Sequence, residues 1–406
     1  MHIRLTQIVL AALTALSVTG TAAAQSWSNA VPIDSNATYE TRNLLARLHW
    51  MRGQKMLFGH HETTRFMVNS KPPGEPRWSD VREMTGEWPG LFSKQINFAV
   101  KWNDGDGMRE DIQFAYSIGA AITVCWHADN PVTGGNSGDT NIDFPSILPG
   151  GSNHYLLVAA LSNVASYLET ITNSAGYPIP LIYRAWHENN LLNSYWWNKA
   201  TPEEFKEFWH FTVEYYRDTR GLHNLLYAFC PNWRNPMSQG NVAANYLETY
   251  PGDDYVDIMG LDYYGNINRA NVTTVLVTMV QLANQHGKVP VLAECGAALG
   301  GLDNPAAEPG WYTNSWLSVL KNDPLLRTMP YGQTWYNKPA PGDHWVPYAT
   351  NHPHYAAFMA FYDDPWTAFS ADLEDLHLYE PVPEPFGAAV LACAVAAVIR
   401  VRRALL

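Results

Sequence analysis

The sequence predicts an α/β fold: a single (β/α)8 barrel with long loops after its strands. Three observations lead there. Eight short apolar runs alternate with amphipathic stretches, and strands alternating with helices imply parallel pairing through crossovers. Nearly every run switches at its end to His, Asn, Asp, Glu, Tyr or Trp, and a barrel gathers the carboxyl ends of its strands at one mouth. The first run is followed by no glycine-rich phosphate loop but by "FGHHETT", which disfavours the alternative, a doubly wound sheet.

The first helix is expected over Tyr39–Met51, where Leu44, Leu45, Leu48 and Met51 share a stripe. The strands are expected at Leu57–His60, Leu91–Asn97, Ala121–His127, Leu181–Trp186, Leu225–Cys230, Val256–Asp262, Val289–Ala293 and Tyr331–Trp335. Between them, His154–Ile171 and Val272–His286 repeat the helical stripe. Thr201-Pro202-Glu203-Glu204 is a capping box with proline at the first helical position, and Gly221 follows the last turn. Neither repeat nor linker interrupts residues 26–375, which read as one domain.

Composition narrows the function. An apolar fraction of 47% with 16% charged residues describes a buried globular chain. The formal charge of −12 excludes a nucleic-acid surface, which must be basic. Sixteen Trp and 22 Tyr exceed what a core needs, and spare aromatic faces suit sugar rings, bases or apolar ligands. Cys125, Cys230 and Cys295 each close an apolar run and read as small buried hydrophobes, with at least one thiol free. A monomer is expected.

The two ends stand apart. Residues 1–24 carry Arg4, an apolar stretch and Ala22-Ala23-Ala24, the pattern of a secretory leader cut before Gln25. At the other end, residues 380–406, about fourteen apolar residues follow Pro385, then Arg400, Arg402 and Arg403. As a helix the apolar part covers roughly 21 Å, short of the ~30 Å hydrocarbon layer. This tail resembles the PEP-CTERM sorting signal of Gram-negative bacteria, with Val382-Pro383-Glu384-Pro385 at the recognition position. The resemblance implies export, transient processing by an exosortase-type membrane protease, and a secreted or cell-surface destination.

Candidate chemistry gathers at the strand ends: His60 and His61, Asn97, His127, His187-Glu188-Asn189, Asn232, Asp262-Tyr263-Tyr264, Glu294 and Trp335. Glu188 and Glu294 stand out because each closes an apolar run, at the fourth and seventh strands. Two such carboxylates suit glycoside hydrolysis, one donating a proton to the leaving oxygen and the other attacking the anomeric carbon from about 5–5.5 Å away. Their surroundings must push the two pKa values apart. The adjacent His60 and His61 lack a metal-ligand spacing, "DNPVTGGNSGD" lacks the order of a calcium loop, and neither a metal nor a cofactor is expected. Trp209 lies within a helix and reads as core. Trp196 and Trp197, in the loop after Glu188, suit either core or a further sugar contact, and Trp196 is carried forward as a candidate, with Asn232.

In order along residues 55–370, "FGHHETT", "SDVREMTGEWPGLF", "ITVCWHADNPVTGG", "YRAWHENN", "YAFCPN", "YPGDDYVDIMGLDYYG", "VLAECG" and "TWYNK" resemble glycoside hydrolase family 26. Its members are mostly endo-β-1,4-mannanases, of the clan with its acid/base on strand four and its nucleophile on strand seven. The resemblance implies that Glu188 is the acid/base and Glu294 the nucleophile, and that the substrate is a polysaccharide of the β-mannan type. It also implies that His127 and His187 contact sugar, that Tyr264 (or Tyr263) bonds the nucleophile, and that Trp335 lies under the reacting ring. Two departures leave sugar preference open. The spacing from Glu188 to Trp196-Trp197 is about one residue longer than in many family members, and Trp335-Tyr336-Asn337 stands where the family often has Trp-Arg-Asn. A mixed-linkage β-glucanase, a β-1,3-xylanase and a non-catalytic carbohydrate-binding surface protein are the alternatives.

Overall fold

In a computed structural model the chain is described over residues 30–383, except 235, 236, 238 and 340–342. The leader and most of the sorting tail fall outside the described residues. Eight parallel strands close on themselves: β1 (Met56–His61), β2 (Leu91–Gln95), β3 (Ala121–Cys125), β4 (Leu181–Arg184), β5 (Leu225–Phe229), β6 (Ile258–Tyr264), β7 (Val289–Gly296) and β8 (Tyr331–Thr334). Each pairs with its successor, and β8 and β2 both flank β1. A two-residue strand, β9 (Thr367–Ala368), adds to the base of β1. All eight barrel strands stand at their expected positions; β9 was not anticipated.

Strand ends differ from expectation by one to three residues: β1, β6 and β7 run past their expected ends, whereas β2, β3, β4, β5 and β8 stop short. In those five the cause is shared. An apolar run continues into the mouth after its ladder of backbone hydrogen bonds has stopped. Residues Ala185–Trp186, for example, are buried by packing, yet they form a turn.

The helices occupy Tyr39–Trp50, His154–Leu168, Pro202–Glu214 and Ala270–Gln285, close to their expected spans. The capping box forms as read: Thr201 Oγ1 accepts from Glu204 N, and Glu204 Oε2 accepts from Thr201 N at 2.8 Å. Gly105–Ser117, Tyr355–Tyr362 and a π-helical segment at Tyr312–Lys321 complete the main outer layer. Beneath it lie apolar seams such as Phe58 of β1 against Tyr312, Trp316, Phe358 and Phe361, with ring centroids 5.4–6.3 Å apart.

The barrel interior is polar just below the mouth. Gln333 of β8 donates to Ser93 Oγ on β2 (3.2 Å) and accepts from Thr123 Oγ1 on β3 (3.0 Å). All three are buried, so each polar atom there needs such a partner. Cys125, Cys230 and Cys295 are buried, free thiols.

At the opposite end, the first and last described segments meet. Thr38 N donates to His223 O ahead of β5, and Ile33 N to Asp257 Oδ1 ahead of β6, each at 2.8 Å. Tyr379 Oη donates to Ala120 O ahead of β3 at 2.6 Å, and Arg47 Nε to Glu380 O at 2.9 Å. Packing of the chain against the barrel therefore continues to Glu380.

Candidate active site

The mouth of the barrel holds one cavity of about 330 Å³, walled by Glu188 and Glu294 together with His127, Tyr264, Trp335 and Asn232, among others. Six of the eight candidate catalytic and sugar-contact residues thus converge; the two exceptions, His187 and Trp196, are given below.

Glu188 is placed by a strained turn. After β4 the backbone enters the left-handed region at Trp186 (φ 43°) and again at Glu188 (φ 53°). Neither residue favours that conformation, so surrounding contacts must hold it. The Trp186 indole is fully buried against Trp126, Trp196, Trp197 and Phe208 and donates to Thr212 Oγ1 at 3.1 Å. Glu188 N donates to Cys230 O (2.8 Å), and Asn198 Nδ2 donates to Glu188 O (2.9 Å). The carboxylate accepts from Asn232 Nδ2 (2.5 Å) and Tyr195 Oη (3.3 Å). It is only 8% exposed. Burial first, then the charge of Glu294, pushes its pKa up to about 7 against the hydrogen bonds from Asn232 and Tyr195.

Glu294 is placed by a bulge. Leu292 pairs with Leu261 on one side and Gly332 on the other, but Glu294 pairs with Asp262 and Cys295 with Thr334. Strand β7 therefore carries one residue more than both neighbours, and the extra residue re-aims the side chains beyond it. Glu294 accepts from Tyr264 Oη and from Arg184 Nη2, while Arg184 Nη1 donates to Asp262 Oδ2 at 2.6 Å. Arg184 is buried, yet the two carboxylates overcome the cost of burial and hold it charged. Glu294 thus accepts from a cation and a phenol, both charge-assisted partners for a carboxylate. Of the two tyrosines offered by the sequence, Tyr264 makes this bond; Tyr263 Oη donates to Asn266 O instead.

Trp335 stacks on the His61 ring, 4.0 Å between centroids and 7° from parallel, and Ser93 Oγ fixes His61 Nδ1 at 2.6 Å. The indole is thereby held flat at the cavity wall. The backbone of His127 is clamped by Asn97, which donates to its O at 2.7 Å and accepts from its N at 3.0 Å. Burial and Arg184 bring the imidazole pKa down to about 3, so the ring is neutral.

Two sequence candidates lie elsewhere. Trp196 is 1% exposed, packed on Phe144, Trp186 and Phe208, with Nε1 donating to Ala128 O at 2.9 Å. It supports the Trp186 turn from below and does not reach the cavity. His187 is also 1% exposed and outside the cavity lining; its ring packs edge-on to His127 at 4.7 Å. The left-handed turn sends Glu188 into the mouth and leaves His187 behind His127.

Sequence reasoning did not assign Arg184, Tyr195 or Trp345. Arg184 carried a signal, a lone cation inside the apolar run "LIYRAW". Trp345 carried another in Gly296, where a Cβ would run into the Trp345 ring, so only glycine lets that indole pack at the end of β7. Trp345 lines the cavity and meets Tyr264 edge-on at 5.0 Å. Tyr195 had no periodicity to mark it.

Fold and site together define a (β/α)8 barrel with a paired-carboxylate cleft of the kind found in glycoside hydrolases. Residues 33–320 match glycosyl hydrolase family 26, and the chain belongs to that family. The mannan endo-1,4-beta-mannosidase of Bifidobacterium adolescentis is 31% identical over 342 residues, which make up 78% of this chain. This chain spans about a third of that relative's length (33%). Among solved structures, a modular endo-beta-1,4-mannanase from Cellulomonas fimi superposes with a TM-score of 0.76 at 35% identity, covering 84% of this chain and 78% of the other. The catalytic domain of the endo-beta-1,4-mannanase of Bacillus sp. JAMB-750 gives 0.78 at 31%, covering 86% and 96%.

Proposed function

We propose that this protein is an exported, retaining endo-β-1,4-mannanase. The observation that carries the reading is the contrast between two carboxylates in one cavity. Glu188 is desolvated and keeps its proton up to about pH 7, while Glu294 faces Arg184 and Tyr264. Glu294 attacks the anomeric carbon as Glu188 protonates the departing glycosidic oxygen, leaving a covalent glycosyl-enzyme. Glu188, now ionised, takes a proton from water, which displaces Glu294 and restores both groups. Trp335 offers a flat apolar face to the sugar's C–H groups, and His127, Asn232 and Tyr195 lie within reach of its hydroxyls. The mannan preference rests on the named activities of the relatives. Export rests on the leader and tail patterns in the sequence.

The test is hydrolysis by the purified protein of mannan, glucomannan, mixed-linkage β-glucan and β-1,3-xylan, with product lengths and the anomeric configuration of the first product followed by NMR. Release of β-configured manno-oligosaccharides is expected. Cleavage of glucan or xylan in preference to mannan would replace the substrate, and an α-configured first product would sink the double displacement. For export, the mass of the mature protein should begin at Gln25.

A further inference from the structure

A continuous run of aromatic rings leaves the cavity. From Trp335 the next ring is Tyr336 (5.1 Å), then Phe66 stacked on Tyr336 (4.6 Å), Phe98 (5.7 Å) and Trp102 edge-on to Phe98 (4.8 Å). These residues come from the loops after β8, β1 and β2, three neighbouring staves of the barrel. Glu188 follows β4, four staves from β8 and on the opposite side of the mouth.

The rings have different freedom. Arg65 lies over Phe98 at 4.6 Å and is itself held by ion pairs to Asp104 and Asp111. Phe98 and Phe66 thus brace their neighbours, whereas Trp102 is 49% exposed. Tyr336, half-buried, occupies the position next to the Trp335 platform. Beside Trp102, Lys101 and Asp129 form an exposed ion pair at 2.6 Å. An open indole with charged, hydrogen-bonding neighbours matches a pyranose ring, which is apolar on its faces and hydroxylated around its rim. The other well-exposed aromatics, Tyr39, Tyr155 and Tyr177, lie on the outer helices or ahead of β4, away from the mouth.

We propose that Trp102 forms a distal sugar-binding subsite for the part of the polysaccharide that stays on Glu294 after cleavage, reached along Tyr336, Phe66 and Phe98. The assignment of side follows from position: the leaving portion must lie against the proton donor, and this run departs across the mouth from Glu188. The proposal rests on the glycosidase reading above and extends it to a site several rings from the chemistry. Trp102 makes no contact with the reacting sugar, so its contribution appears only with chains long enough to reach it.

The experiment compares the protein with its Trp102→Ala and Trp102→Phe variants on mannotriose and mannohexaose. For Trp102→Ala, kcat/KM on mannohexaose is expected to fall about tenfold, through KM, with mannotriose changed by less than about twofold. Trp102→Phe should retain most of the preference for the longer chain. Equal effects on both lengths, or none on either, would overturn the proposal. If the unaltered protein cleaves neither, the mannan reading fails by itself. Affinity of the Glu294→Ala protein for short and long cello-oligosaccharides and β-1,3-xylo-oligosaccharides, with and without Trp102→Ala, then decides. A Trp102-dependent gain with length supports the subsite, and its absence for every chain overturns it.

Discussion

The ends of β4 and β7 each deliver a glutamate to the same cavity, by different means and into different company. At β4 a left-handed turn, braced by a cage of indoles, exposes Glu188 to two neutral partners, Asn232 and Tyr195. At β7 an extra residue in the strand aims Glu294 at a buried guanidinium and a phenol. On the reading proposed above, two copies of one residue type take opposite tasks because one is surrounded by neutral dipoles and the other faces a cation. The roles live in the neighbours more than in the glutamates.

The bluntest way to break this contrast is to remove the proposed nucleophile. Glu294→Ala should lose turnover on the order of 10⁴-fold or more on every substrate. Added azide should restore part of the turnover and give a glycosyl azide of opposite anomeric configuration to the normal product. Activity surviving with unchanged stereochemistry would mean that another group attacks. Glu188→Ala should cost ~10²–10⁴-fold on polysaccharide but markedly less in forming the glycosyl-enzyme from a dinitrophenyl glycoside, whose leaving group needs no proton. Equal losses on both would remove Glu188 from the acid role.

The pH profile sharpens the comparison. Glu188 must be protonated to donate, and its folded pKa is raised, so activity should fall as pH rises through about 7. Asn232→Ala should move that alkaline limb upward, because the Asn232 hydrogen bond holds the pKa down. Glu294→Gln should lower the Glu188 value seen by NMR titration, because the charge of Glu294 raises it.

Stability gives the smallest effect and the most direct contrast. At pH 8 the folded protein carries a buried charge on Glu188, so Glu188→Gln should stabilise by ~1 kcal/mol. That gain should shrink as pH falls from about 7 to the ordinary 4.5, below which the carboxyl is protonated in folded and unfolded chains alike. Glu294→Gln removes one of the two carboxylates that balance Arg184 and should cost ~1–3 kcal/mol while leaving the protein folded. Thermal melts of both variants across pH would show whether the signs differ; matching signs would erase the distinction between the two strand ends.

Much of this was legible from residues alone. A buried parallel strand is largely apolar until it emerges, so Glu188 and Glu294 announce themselves as the carboxylates that follow "LIYRAW" and "VPVLA". What stayed hidden depends on the third dimension. Ala293 reads as an ordinary strand residue, and only its neighbours' register reveals the bulge at β7. Trp196 reads as a loop tryptophan beside the acid/base, but a 3-10 turn over Trp196–Lys199 tucks it under Trp186. Tyr195 and Trp345 reach the cavity from irregular loops, where no period distinguishes an inward side chain from an outward one.

The meeting of the first and last described segments beneath the barrel has a practical side. Ile33 and Thr38 are fastened near the starts of β6 and β5, and Tyr379 near the start of β3, so the first and last described segments lie on the face opposite the cleft. A synthetic support attached to that face leaves the cleft pointing outward. A bulky, insoluble polymer could then reach the enzyme without the attachment standing in its way.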